Sequence, residues 1–153
     1  SADDFFLYSP TYVDWSHANA VEMDFDGNIL LSSRHFNEIT KINHTTGNIM
    51  WRLGGNYNQF TFLTDTLPFY GQHDIRRISN GHITLYDDGN HDIPHPARAL
   101  EYDLDEVNMT AKLVWSYILD STMSSKAMGN VQGLSSGNKI IDYALENNFD
   151  YLF

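Results

Sequence analysis

The stretch Asp14-Trp15-Ser16-His17-Ala18-Asn19, continued through Phe25-Asp26-Gly27-Asn28-Ile29-Leu30-Leu31 to Ser32-Ser33-Arg34, decides how this chain is read. Asp26-Gly27 is a short-turn signal between two apolar-rich runs, so the stretch predicts a β-hairpin. A two-residue loop there pairs Phe25 with Asn28, Met23 with Leu30, Val21 with Ser32 and Asn19 with Arg34. Side chains alternate along a strand, so His17 and Asn19 share a face, with Arg34 across from Asn19. An imidazole, an amide and a guanidinium then meet at one open end. A three-residue loop would slip this register by one residue and separate them.

The same pattern recurs. Ser79-Asn80-Gly81-His82-Ile83-Thr84-Leu85 and Ser135-Ser136-Gly137-Asn138-Lys139-Ile140-Ile141 echo it, a period of about 55 residues that points to a solenoid, propeller or array. A second hairpin follows each of the first two. One runs from Glu38-Ile39-Thr40-Lys41-Ile42 to Ile49-Met50-Trp51-Arg52-Leu53, the other from Ala99-Leu100-Glu101-Tyr102 to Leu113-Val114-Trp115-Ser116-Tyr117. Four short strands per repeat is the make-up of a propeller blade. The reading is therefore all-β: a β-propeller of four-stranded blades. One blade is expected over 12–53, a connector over 54–71, a second blade over 72–118 and the start of a third over 129–145. The connector aromatics Tyr57, Phe60, Phe62, Phe69 and Tyr70 either cover the propeller end or pack within their own loop. No amphipathic helix is evident beyond a single turn in 121–128. A closed propeller of such blades needs about 220 residues or more, so further blades are expected outside this sequence.

At 153 residues and 42% hydrophobic content, the chain can bury one ordinary core. A net charge of −11 argues against nucleic acid, whose phosphates require a basic patch. No apolar run is long enough for a membrane span. Without cysteine, disulfides and thiolate metal sites are excluded. Asn43-His44-Thr45 and Asn108-Met109-Thr110 match glycosylation acceptors in expected turns, which favours a secreted or extracellular protein.

Superposing the repeats places His73 against Asp88 as Asn19 stands against Arg34; the third repeat offers only Gly129 and Ala144. Equivalent hairpin ends converge in a propeller, so His17, Asn19, Arg34 and His73 are candidate catalytic residues for chemistry on an oxyanion group. The plainer alternative is that these are hydrogen-bonded structural side chains. The Asp87–His95 stretch fits no standard zinc or calcium spacing and reads as a polar loop, with Arg98 beyond it as a further cation.

These motifs, with Thr46-Gly47-Asn48-Ile49-Met50-Trp51-Arg52-Leu53-Gly54-Gly55, Gln72-His73-Asp74 and Gly129-Asn130-Val131-Gln132, resemble the arylsulfotransferase family, and within it the eukaryotic, fungal-type branch. The resemblance implies a six-bladed propeller, of which about two and a half blades are present. It implies transfer of a sulfuryl group from an aryl sulfate donor to a phenolic acceptor, with no nucleotide sulfate and no cofactor. The family's His-x-Asn residues fall on His17 and Asn19, the arginine closing Ser-Ser-Arg on Arg34, and the transiently sulfated histidine of Gln-His on His73. Asp88 and Arg98 are expected to bind or position substrate. Two departures stand out. A further channel histidine from an earlier blade has no counterpart here, and the usual Asp-Asn-Gly reads Asp87-Asp88-Gly89. A non-catalytic secreted propeller that binds a ligand in its channel, or an inactive fragment, is the competing expectation.

Overall fold

The structure is a computed structural model that describes residues 14–90 and 95–144. The ends of the first and third expected blades, and 91–94 of the polar loop, lie outside these residues. Among the described residues the regular structure is almost all β-strand, joined by turns and loops. Among the described residues no helix is long and apolar enough to cross a membrane.

Strands β1 (Ala18–Met23), β2 (Ile29–Ser33), β3 (Glu38–Ile42) and β4 (Ile49–Gly54) form an antiparallel meander in the order β1-β2-β3-β4. Strands β6 (His73–Arg77), β7 (Ile83–Asp87), β8 (Arg98–Asp105) and β9 (Thr110–Tyr117) form a second meander, and β10 (Asn130–Gly133) with β11 (Lys139–Asp142) a separate hairpin. None of these sheets closes on itself among the described residues. The second sheet has a fifth strand that the sequence reading did not provide: β5 (Thr61–Phe62), from the connector, pairs in parallel with β9.

The hairpin register differs from the expected one. Asp24 N–H donates to Asn28 O (2.8 Å) and Gly27 N–H to Asp24 O (2.9 Å), closing a three-residue loop. Gly27 sits at φ +80, the left-handed position that ends such a loop. The pairs are Met23 with Ile29, Glu22 with Leu30, Val21 with Leu31 and Ala20 with Ser32. Asn19 then falls in a bulge, beyond which Ala18 pairs with Ser33. The second and third hairpins use the same loop, closed by Ile78 with His82 and by Leu134 with Asn138. In the second, His73 pairs with Tyr86 rather than Asp88, again across a bulge.

The two meanders pack on one core. Leu30, Ile39, Trp51 and Leu53 from the first meet Ile75, Ile83, Leu85, Leu100 and Tyr102 from the second. Phe60 and Phe69 of the connector insert into the same core, so these aromatics seal the seam between sheets instead of packing only their own loop. A smaller cluster of Tyr86, Ala97, Ala99 and Val131 fastens the third hairpin to the second sheet. Burying each such aliphatic side chain stabilises the fold by about 1.5–3 kcal/mol. An ionic seam also crosses the first junction. Buried Lys41 contacts Asp24 (2.8 Å), Asp26 (2.8 Å) and Glu106 (2.9 Å), and Arg77 contacts Asp24 (2.8 Å) and Glu106 (3.0 Å). Stretch 121–128 holds a turn without a helix. The helical turn among the described residues is a 3-10 turn at Arg34–Phe36, ended by Asn37 at φ +54.

Candidate active site

Strand β1 lies along β6, and β6 along β10. Their corresponding ends are therefore neighbours. His17 precedes β1, Asn19 occupies its bulge, Arg34 follows β2, His73 opens β6, Asp88 follows β7, and Met128-Gly129 lead into β10. Arg34, His73 and Asp88 are buried, at 2%, 8% and 0% exposure. The rings of His17 and His73 stand 6.5 Å apart, centroid to centroid, edge to face. One oxygen of Asp88, Oδ2, lies 3.4 Å from His73 Nδ1 and 3.5 Å from Arg34 Nη2. The Asn19 amide donates to Gln72 O (2.8 Å), immediately before His73, and its Oδ1 has no hydrogen-bond partner among the described residues.

The hydrogen bonds of His73 fix its tautomer. Nδ1 lies 3.0 Å from Gly71 O. A carbonyl only accepts, so Nδ1 carries the proton. On the other side Met128 N–H donates to Nε2 (3.2 Å), so Nε2 presents its lone pair. Arg34 Nη2 also donates to Lys126 O (3.0 Å). The segment 126–128 thus touches both the imidazole and the guanidinium with its backbone. Burial pushes the Asp88 carboxyl up to about 6, against the pull of His73 and Arg34. Burial also lowers His17 below the usual imidazole value; Asp14 opposes this, while His35 and Arg34 add to it.

A cleft of about 460 Å³ opens beside Asn19, His73, Met128 and Gly129. A larger groove of about 920 Å³ runs farther along the seam past Arg76, Glu101 and Lys139. Its charges already pair, Lys139 with Glu101 at 2.6 Å and Arg76 with Glu22 at 3.2 Å. The smaller cleft reaches the His73 imidazole, whose Nε2 accepts from Met128 N–H.

The structure brings His17, Asn19, Arg34, His73 and Asp88 together. The His73–Asp88 contact forms diagonally across the ladder, not directly opposite. Arg98 is not brought in: its guanidinium is held by Asp87 Oδ2 (2.7 and 3.0 Å), Asp65 (3.4 Å) and Leu67 O (2.6 Å). Asn43 lies in the β3–β4 turn, where its Oδ1 accepts from Thr45 and Thr46 N–H (3.1 and 2.9 Å). Asn108 is exposed in the β8–β9 turn, with its amide on Asp105 (2.7 Å). Sequence reasoning missed three contributors. Gln72 is fully buried and donates to Ser32, Ser33 and Glu38 (3.1–3.3 Å), lacing the sheets together under the site. Asp14 lies 2.6 Å from His17 Nδ1. Met128 acts through its backbone, which leaves no trace in side-chain type.

A lone-pair-bearing imidazole beside a guanidinium, an amide and a second imidazole can hold an oxyanion, attack its central atom and move a proton. A family model described as Arylsulfotransferase (ASST) matches residues 6–151. No curated protein matches the chain.

Proposed function

The chain belongs to the arylsulfotransferase family, and on that premise we propose that it carries the channel-lining part of a nucleotide-independent sulfotransferase working through a sulfo-histidine. An aryl sulfate donor and a phenolic acceptor are the substrates. The observation that carries this reading is the fixed tautomer of His73, with Nδ1–H on Gly71 O and the Nε2 lone pair on the Met128 amide beside the cleft.

In the first step Nε2 of His73 attacks sulfur. The N–S bond forms, the aryl S–O bond breaks, and the departing phenolate takes a proton from His17. The sulfated ring keeps its Nδ1 proton and becomes cationic, and Asp88 at 3.4 Å stabilises that charge. Arg34 and Asn19 hold the sulfuryl oxygens, where charge accumulates during transfer; arginine's planar fork suits two oxygens at once. In the second step the acceptor hydroxyl gives its proton to His17, its oxygen attacks sulfur, and the N–S bond breaks. Two displacements replace one harder one.

The two meanders and the third hairpin are read as successive blades of a six-bladed propeller whose remaining blades lie outside this sequence. The ordered motif set supports the eukaryotic, fungal-type branch. The acceptor triplets at Asn43 and Asn108, both in turns, support a secreted glycoprotein.

The test is rapid, acid-free quenching of the full-length protein with an aryl sulfate, followed by mass spectrometry. A peptide containing His73 should gain one sulfuryl group, and His73→Ala should abolish both adduct and phenol release. No adduct and no released phenol at any pH, with ligand affinity unchanged in His73→Ala, would instead identify a non-catalytic binding protein.

A further inference from the structure

Just ahead of β1, Asp14, His17 and His35 bring a carboxylate and two imidazoles together, one donor atom from each lying within 4.8 Å of the others. The two segments that carry them are tied by their backbones: Arg34 N–H donates to His17 O (2.9 Å) and His35 N–H to Ser16 O (3.3 Å). Trp15 packs edge-on against Phe36, centroids 5.8 Å apart. Asp14 is held in turn, because its Oδ1 accepts from His17 N–H (3.1 Å). The donors are therefore set in place by the fold and not by chance rotamers.

His35 carries the argument. Its Nδ1 lies 2.6 Å from Asp14 O. That carbonyl can only accept, so Nδ1 bears the proton and Nε2 the lone pair. This Nε2 is buried and has no hydrogen-bond partner among the described residues. Donation of the second ring N–H to a backbone carbonyl is how metal-ligating histidines are oriented. An Asp14–His17 pair alone would leave this buried nitrogen without a purpose.

We propose that Asp14, His17 and His35 bind a divalent transition-metal ion of the zinc or cobalt(II) class. Two imidazoles and one carboxylate suit those ions, whereas magnesium and calcium demand mostly oxygen. Three protein ligands leave a coordination position for water or a substrate oxygen. The Arg34 guanidinium nearby opposes a second cation, but Asp88 at 3.5 Å offsets it. A metal held by His17 withdraws that imidazole from proton exchange, so the ion would inhibit transfer rather than assist it.

The inference stands apart from the transferase reading because binding is measured without turnover. Cobalt(II) is titrated into the full chain and followed by its visible d–d absorption. One ion per chain should bind, and His35→Gln and Asp14→Asn should each weaken binding by at least about 10-fold, since loss of even an outer-shell partner costs about 10–100-fold. Absence of the band, or undiminished affinity in a folded His35→Gln, overturns the proposal. Should His35→Gln not fold, paramagnetic broadening of the wild-type imidazole resonances decides. Loss of the His17 and His35 signals with His44 and His82 left sharp supports the site; broadening centred on the other histidines refutes it.

Discussion

Asp88 is a carboxylate that burial makes costly to ionise. Its side chain is fully buried, and its neighbours, the His73 imidazole and the Arg34 guanidinium, sit at 3.4 and 3.5 Å, beyond ordinary hydrogen-bond length. Its folded carboxyl titrates at about 6, against 3.8 for an ordinary aspartate. Between those values the folded chain holds a proton that the unfolded chain has released. Stability therefore falls as pH rises through that window, by up to about 3 kcal/mol for a shift of about two units. The loss is complete above about pH 6 and absent below about pH 4. Asp88→Asn has no such titration, so in urea unfolding the variant should gain on wild type by about that amount across the window. A constant difference from pH 4 to 7 would refute the buried charge. On the proposed mechanism, His17→Gln should lower kcat by about 10²–10⁴-fold in steady-state phenol release while leaving the His73 adduct chemically possible. At this scale much was legible. The His73–Asp88 contact was found because a diagonal neighbour lies within reach of long side chains even when the register is wrong. Arg98 was misplaced because the β7–β8 register sets Asp87 directly across from it and engages its guanidinium, with Asp65 added from a distant loop.

Three hairpins share one loop design, and its length was the element-level error. Asp-Gly fits a two-residue turn and also the end of a three-residue one. Alternation would have settled the choice, but Ile29-Leu30-Leu31 is apolar at every position and so is silent about parity. The bulges at Asn19 and after His73 were equally invisible, since a bulge is a property of pairing. Glycine matters differently along these elements. Gly27 sits at φ +80 with open space where a Cβ would be, so Gly27→Ala should cost only about 1 kcal/mol of backbone strain. Gly129 sits at φ +92, and its Cβ would stand 2.5 Å from the Tyr86 ring. Gly129→Ala should cost clearly more in thermal unfolding and should speed hydrogen exchange at the Met128 amide. Equal costs for the two variants would show that the third hairpin does not depend on this close approach. In the ionic seam, Lys41→Met leaves Asp24, Asp26 and Glu106 facing one another with Arg77 alone, and a loss of about 3–5 kcal/mol is expected in the same measurement.

Across the whole molecule, the stacked sheets were legible because a repeat of apolar runs and turn residues survives any error in register. The parallel strand β5 was not, since two residues inside an aromatic connector carry no pattern of their own. The stack leaves an apolar margin: Trp15, Val21, Met23 and Phe25 are 63–71% exposed on and beside the edge strand β1. Exposed apolar side chains gathered in this way favour association. Val21→Thr with Met23→Lys should therefore reduce the sedimentation coefficient of the 153-residue chain at high concentration; no change would mean that the margin is inert. The same stacking puts the Met128 amide on the Nε2 of His73. An imidazole so tethered is tidy but tame. On the proposed mechanism the third hairpin recoils before sulfur approaches, so thickening the medium with a viscogen should drag on turnover even where the bond-making itself is fast.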